Sequence, residues 1–198
     1  YEKGVDRPTR SDTKRTIEPR GVTVKPGTYK VVLESKNITS QTAVEILIDP
    51  RLEISPEAIE ERYDFAKKVE DFTAKTTAAV EQLKASKKTL AVYKKRIQEK
   101  DDEAHKVLLE TIEEHSKKIE DILVLFIGKE DKRQGIVRNS ENSVLKRIYS
   151  ANRYVRSRPS GITLTEEKLL EHARQDLVAA LDQTNAFYEV YWKAIRVQ

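Results

Sequence analysis

Histidine is the residue type in this 198-residue chain best suited to acid–base or metal chemistry, and it occurs three times, at His105, His115 and His172. His105 and His115 are ten positions apart, whereas two histidines on one helix need a spacing of about four to bind the same metal ion. His115 also falls on an apolar helical stripe, where a hydrogen-bonded core histidine is commoner than a ligand. Cysteine is absent, which excludes thiolate metal sites, thiol nucleophiles and disulfides. The sequence therefore predicts no metal site.

Adjacent carboxylates occur at Glu113-Glu114 and Glu166-Glu167. Glycoside hydrolysis needs two carboxylates that oppose each other across a cleft, and these pairs lie at helical positions expected to face solvent. Neither a Gly-x-Ser-x-Gly nucleophile motif nor a Gly-x-x-x-x-Gly-Lys phosphate loop occurs in the sequence. We interpret the acidic pairs as a charged helix face and a helix start, and we expect no catalytic residue and no cofactor in this segment.

Four aromatic residues lie close together near the end of the chain, namely Phe187, Tyr188, Tyr191 and Trp192. One interpretation is a possible interaction surface, on which the rings stack against a sugar or a partner protein. The other is that they cap a helical core and pack against the β-structure near the start of the chain. Because Tyr188 and Tyr191 fall on an apolar stripe, the spacing favours the second interpretation.

The net charge of +4 raises nucleic acid as a partner, but the distribution of charge argues against it. Residues 101–128 carry 8 acidic and 3 basic side chains, whereas residues 129–160 carry 9 basic and 3 acidic ones. Segments of alternating sign suit helices that lie against each other, while a nucleic-acid footprint needs one clustered basic face. We therefore expect no nucleic-acid partner.

The basic segment itself has two interpretations. It could bind an anion, or it could be a solvated basic surface facing the acidic stretch, which is the commoner arrangement. Its members are Lys129 to Arg138 together with Arg147, Arg153, Arg156 and Arg158.

Apolar residues recur at alternating three- and four-residue steps, which predicts helices that each bury one face. The predicted helices are 56–98, 101–127, 143–155 and 165–196. The first would span roughly 65 Å, so we expect it to overhang its neighbours or to break near Ser86-Lys87-Lys88. The last is predicted to start with Thr165 as its cap and to bury Leu177. Short links favour antiparallel neighbours, so we predict an α+β, mostly α fold with an antiparallel four-helix bundle over residues 51–198.

Residues 1–50 are predicted to hold an extended N-terminal arm and a β-hairpin. Tyr29, Val31 and Leu33 alternate along one predicted strand, Val44 and Ile46 along the other, with a turn at 37–40. Two strands alone are not stable, so we interpret the hairpin as part of an immunoglobulin-like or fibronectin-like sandwich. Its other strands would lie upstream of Tyr1 or come from a partner.

The chain has no methionine, even at its first position, so we expect a piece of a longer protein or a processed form. Its longest apolar run is the six residues 122–127, too short for a membrane span.

Several motifs occur in a characteristic order: Pro26-Gly27-Thr28-Tyr29, then Asp49-Pro50-Arg51, then residues 134–138, then a last helix containing Leu181, Asn185, Tyr188 and Trp192. This order resembles the C-terminal region of large secreted bacterial proteins with a sortilin-like or Asp-box (BNR-repeat) β-propeller. The resemblance implies the end of an Ig-like domain followed by a helical bundle. It also implies a secreted, periplasmic or cell-surface location.

The leading hypothesis is therefore a non-catalytic C-terminal scaffold and protein-interaction module, with the upstream propeller and Ig-like domains or another protein as partner. An alternative is the accessory domain of a hydrolase that acts on glycans or peptides, in which the four aromatic residues contribute to substrate binding. A third hypothesis is a homo-oligomer that self-associates through the long first helix.

Overall fold

The computed structural model describes residues 1–10, 17–99, 103–129, 143–157 and 159–193, with the backbone alone for 103–105. Strands β1 (Gly27–Ser35) and β2 (Ile38–Ile46) precede four helices, and the predicted α+β, mostly α class is confirmed. The helices are α1 (Pro56–Gln98), α2 (Glu103–Ile127), α3 (Val144–Arg156) and α4 (Leu164–Phe187), the last continuing into a π-helical turn over Tyr188–Trp192.

Helix α1 begins where the sequence places it and runs unbroken for 43 residues. The Ser55 hydroxyl accepts a hydrogen bond from the amide of Ala58 at 3.2 Å, and Pro56 occupies the first turn, where its missing N–H costs nothing. The expected break near Ser86 does not occur. Ser86 is buried, and its hydroxyl lies 2.9 Å from the hydroxyl of Tyr188, so a polar residue on the stripe is matched by a polar partner.

Helix α1 does not overhang its neighbours because two helices cover it in succession. Lys94 pairs with Glu113 at 2.7 Å and Lys87 pairs with Glu120 at 2.6 Å, an order that shows α2 antiparallel to the C-terminal half of α1. Helix α3 then covers the N-terminal half: its first turn shares a cavity with Thr73, while Arg156 in its last turn shares a second cavity with Arg62. Helices α2 and α3 therefore run in the same direction, one after the other, along α1.

Helix α4 returns in the same direction as α1. At its start the amide of Ile162 donates to the carboxylate of Glu61 at 3.3 Å, and at its end Tyr188 meets Ser86. Each of α1 and α4 is thus antiparallel to both α2 and α3, and parallel to the other. Between the levels of Glu61 and Ser86 the bundle contains α1, α4 and either α3 or α2, whereas the part of α1 beyond the end of α4 is accompanied by α2.

The start of α4 differs from the prediction, because Thr163 and not Thr165 is the cap. The Glu166 carboxylate accepts from the backbone amide of Thr163 at 2.9 Å and completes a capping box. Glu166 is consequently buried, although the sequence placed it in solvent.

The buried seam of α4 differs from the predicted stripe at two positions after Leu177, while Thr184 is buried as predicted. Its buried members recur at steps of three and four and include Ala180 and Phe187 instead of the predicted Leu181 and Tyr188, which are partly buried. The full buried seam is Leu170, Ala173, Leu177, Ala180, Thr184 and Phe187. The core as a whole is formed by helical side chains of α1 to α4.

The N-terminal arm lies against the helices. The amide of Glu2 donates to the carbonyl of Val22 at 2.8 Å, and that of Gly21 donates to the carbonyl of Glu2 at 2.9 Å. The two extended segments approach so closely that a Cβ atom at Gly4 would lie 2.6 Å from the carbonyl carbon of Arg20, which only glycine avoids. Further along, the hydroxyl of Thr77 on α1 donates to the carbonyl of Asp6 at 2.6 Å.

The core assignment is tested by shortening Leu177. Leu177→Ala should lower the free energy of unfolding by about 2–5 kcal/mol, because the substitution leaves a cavity in a closely packed interior. The matched control is Val178→Ala at the next position, which is exposed and should change the value by less than about 0.5 kcal/mol. Urea unfolding followed by circular dichroism measures both, and equal effects would contradict the assignment.

The attachment of the arm should depend on pH. The Tyr63 hydroxyl and then the Lys67 ammonium, by donating to Glu2, lower the pKa of its carboxyl from the ordinary value of 4.5. A lowered folded-state pKa means that these bonds stabilise the arm above about pH 4.5 and are lost as the pH falls through the lower folded-state value. The NMR shifts of the Gly4 and Gly21 amides should therefore move toward those of an unattached segment on acidification. Glu2→Gln should remove this transition, and an unaltered transition in that variant would refute the role of Glu2.

Candidate interaction surfaces

One face of the β-hairpin is apolar and open to solvent. The strand register pairs Tyr29 with Val44, Val31 with Thr42 and Leu33 with Ser40, which places these side chains on one face. Leu33 is 69% exposed and Ile38, beside the turn, is 73% exposed. The opposite face is mainly polar, with Lys30 paired to Ala43 and Glu34 paired to Thr39. The hairpin is therefore amphipathic without having a core to bury its apolar face.

The hairpin also has unpaired edges. Its sheet contains two strands, so the outer edge of each presents backbone N–H and C=O groups that pair with no further strand of the described chain. The turn between the strands is two residues long, with Lys36 at a φ of 51°, and β2 therefore begins at Ile38, earlier than the turn predicted at 37–40 would allow. Such a hairpin is marginally stable by itself.

The base of the hairpin is tied to the start of α1. Lys25, two residues before β1, forms an ion pair with Glu60 at 2.8 Å, and the hydroxyl of Tyr29 donates to the carbonyl of Lys25 at 2.7 Å. After β2, Arg51 closes a turn by donating to the carboxylate of Asp49. These contacts fix where the hairpin leaves the bundle, while its tip projects into solvent.

The aromatic residues of the last helix occupy the other end of the bundle. Phe187 is only 2% exposed, and its ring centre lies 5.3 Å from that of Tyr188, 6.0 Å from that of Tyr191 and 6.4 Å from that of Trp192. Because Tyr188 also meets Ser86 of α1, the set caps the core, as the favoured interpretation held. The accompanying expectation that the rings pack against the β-hairpin is wrong, since their partners lie on α1, α2 and α4.

Tyr191 has little free ring surface. The ammonium of Lys118 lies 3.5 Å from its ring centre, and the ring of Phe187 is nearly parallel to it, at 21°. Lys118 is also paired with Glu114 at 2.6 Å, and the Glu114 carboxylate raises the pKa of the Lys118 ammonium. A sugar that stacked on this face of Tyr191 would have to displace the Lys118 ammonium, which contacts both the Tyr191 ring and the Glu114 carboxylate.

His115 completes this cap from α2. Its Nδ1 lies 2.6 Å from the carbonyl of Thr111, so Nδ1 carries the proton, and its ring meets those of Phe187 and Tyr191 edge to face. Nε2 is buried and has no hydrogen-bond partner among the described residues. His115 is thus a core histidine, as its place on the stripe predicts.

The remaining sequence candidates are separated from one another. His172 is exposed on α4, and the side chain of His105 lies outside the described residues. Glu113 and Glu114 bind lysines on the surface. Within the described part of the chain, no three histidine or acidic side chains are placed to hold one metal ion.

The basic segment is divided by the fold. Arg147 pairs with Asp176 of α4, Arg153 is exposed, and Arg156 faces a cleft. Residues 130–142 and Arg158 lie outside the described residues. The cleft was not predicted, because its other walls come from the arm and α1.

None of the helices, as far as they are described, has a stretch that is both long and apolar enough to cross a membrane.

No family model matches the sequence, no curated protein is significantly similar to it, and no solved structure is significantly similar to its fold.

The hydrogen bond between Tyr188 and Ser86 should measurably stabilise the aromatic cap. Burial raises the pKa of the Tyr188 hydroxyl, so this group is neutral and donates or accepts at ordinary pH. Tyr188→Phe should cost about 1 kcal/mol, because the buried Ser86 hydroxyl loses its partner. Adding Ser86→Ala should then cost less than it does in the wild-type chain. Strict additivity of the two substitutions in thermal unfolding would contradict a direct interaction.

Proposed function

We propose that the chain is a non-catalytic scaffold and protein-interaction module, in which the hairpin completes a β-sheet supplied by another domain and the bundle holds the hairpin at a fixed base. The observation that carries this proposal is the exposed apolar face of a hairpin attached to a bundle whose core is formed without it. The fold class alone would not support it, because helical bundles serve many functions.

A β-sheet suits this hairpin better than a helix does. A helix laid on the apolar face could cover Val31 and Leu33 but would leave the backbone groups of the strand edges in water. A strand added to either edge would pair those groups, and the sheet extended in this way would offer a second apolar layer to the face. The apolar face of the hairpin and the unpaired backbone groups of its strand edges are then buried together.

We further propose that the other domain precedes this segment in a large secreted bacterial protein of the sortilin-like or Asp-box β-propeller kind. The support is the order of the motifs: Pro26-Gly27-Thr28-Tyr29 opens the hairpin, Asp49-Pro50-Arg51 closes it, and the helices follow. The same proposal carries the secreted, periplasmic or cell-surface location. Its first test is the coding sequence upstream of Tyr1, where repeated Asp-box blades and a secretion signal are expected.

The interaction itself is tested with neighbouring valines. Val31 and Val32 are consecutive residues of β1, 49% and 44% exposed, and they lie on opposite faces of the hairpin. In a chain extended by the upstream domain, Val31→Lys should expose the hairpin amides to hydrogen exchange and weaken the domain contact. Val32→Lys adds the same charge one residue away and should have little effect, because its face stays in solvent.

Two results would overturn the proposal. One is that the hairpin amides exchange equally fast with and without the upstream domain. The other is that Val31→Lys and Val32→Lys behave alike. Sedimentation of the isolated chain tests whether a second copy occupies the apolar face of the hairpin. A dimer that only Val31→Lys dissociates would show that a second copy, and not another domain, covers this face.

A further inference from the structure

A cleft of about 290 Å³ lies near the base of the hairpin, between the N-terminal arm, the segment 20–25, the first turns of α1 and the last turns of α3. Its volume is at the lower end of the range typical of small-molecule sites. The walls come from four parts of the sequence, and the close contact of Gly4 and Gly21 with the facing strand holds two of them together.

Three of the cations that line the cleft have no acidic partner among the described residues. Arg7, Arg20 and Arg156 all face it, and none of them forms an ion pair with a described acidic residue. Arg7 lies 6.0 Å from the ring centre of Tyr149, which lines the neighbouring cavity, and Arg20 lies 5.4 Å from that of Tyr1; both rings are more than half exposed. Planar guanidinium groups suit bidentate binding of carboxylate or phosphate.

Two other charged side chains of the cleft are paired. Lys25 is paired with Glu60 at 2.8 Å, and the acid that lines the cleft, Glu70, is paired with Lys67 at 2.7 Å. Arg62 donates to the carbonyl of Ser160 at 3.2 Å. Among the described residues, the charge of the cleft that has no ionic partner is therefore positive and includes that of Arg7, Arg20 and Arg156.

Part of the cleft wall is apolar. Val22, Val69 and Val155 are buried side chains that line the cleft, and Ile59 and Ala66 of α1 lie beside them. An inorganic ion would leave this surface uncovered, whereas a ligand with an apolar ring and an anionic group would use both parts of the site.

We infer that this cleft binds a small organic anion, with a carboxylate or phosphate group held by Arg7, Arg20 and Arg156 and a compact apolar body against Val22, Val69 and Val155. This site is distinct from the apolar face of the hairpin, and it does not depend on the interaction proposed for that face. Arg156 belongs to the basic segment identified in the sequence. In this site it would bind the ligand together with Arg7 and Arg20, which are far from it in the chain.

The helix dipole of α3 would also explain why an arginine lies at position 156, and Arg153 is the control for this explanation. Arg153 and Arg156 both lie in the last turn of α3, where a cation interacts favourably with the helix dipole. Only Arg156 lines the cleft. Arg153→Gln therefore removes the same charge from the same turn without removing a cleft residue.

The experiment is an NMR titration of the full chain at fixed ionic strength with two dianions of similar size, phenyl phosphate and phthalate. We expect at least one of them to saturate a single site and to shift the amides of Val22, Ala66 and Val155. A preference for one probe identifies the anionic group as phosphate or carboxylate. Benzyl alcohol, which is neutral, and inorganic phosphate, which has no ring, should each bind more weakly than the better dianion.

The variants decide where binding occurs. Arg20→Gln and Arg156→Gln should each weaken the better probe by about tenfold or more, because each removes charge-assisted hydrogen bonds. Arg153→Gln should change affinity by less than about twofold, since it removes only distant and screened charge. Circular dichroism checks that the variants keep the helical content. The inference is overturned if neither dianion saturates, if the shifts follow exposed lysines and arginines generally, or if Arg153→Gln and Arg156→Gln weaken binding equally.

Discussion

The continuous stripe of helix α1 is the constraint on which the rest of the structure depends. A helix of 43 residues has an apolar side about twice as long as any single partner in this chain can cover, since α2 has 25 residues and α3 has 13. The solution is to place α2 and α3 in succession along it and to run α4 beside both. This arrangement leaves an open groove beside the N-terminal half of α1, which the N-terminal arm occupies, and it thereby creates the cleft between the arm and α3.

The two ends of the bundle consequently have different properties. At one end the rings of Phe187, Tyr188, Tyr191 and Trp192 close the core around His115, and most of their surface is in contact with the protein itself. At the other end the arm, the hairpin and α3 meet, and the apolar face of the hairpin and the three arginines of the cleft are exposed there. Both proposed functions therefore lie at the same end, although they rest on different chemistry.

Sequence patterns predicted those features that depend on local periodicity. The bounds of α1 and the burial of His115 follow from spacing and caps, and they are found as predicted. The cap at Thr163 was missed although Thr163 and Glu166 have the spacing of a capping box. The seam through Ala180 and Phe187 was missed because a small residue such as alanine gives a weak pattern. The cleft could not be predicted at all, since Arg7, Arg20 and Arg156 come together only through tertiary packing.

Because α2 and α3 follow each other along α1, the contacts that α1 makes differ greatly in the number of residues that separate the two partners in the sequence. The contact between Lys94 and Glu113 spans 19 residues, whereas that between Glu61 and Ile162 spans 101. Closing the longer loop costs more chain entropy, so the contact of α1 with α2 should form earlier than that of α1 with the start of α4. The cleft, whose walls come from the arm, α1 and α3, should then be completed late, whereas the β-hairpin, whose strands are joined by a two-residue turn, can form early.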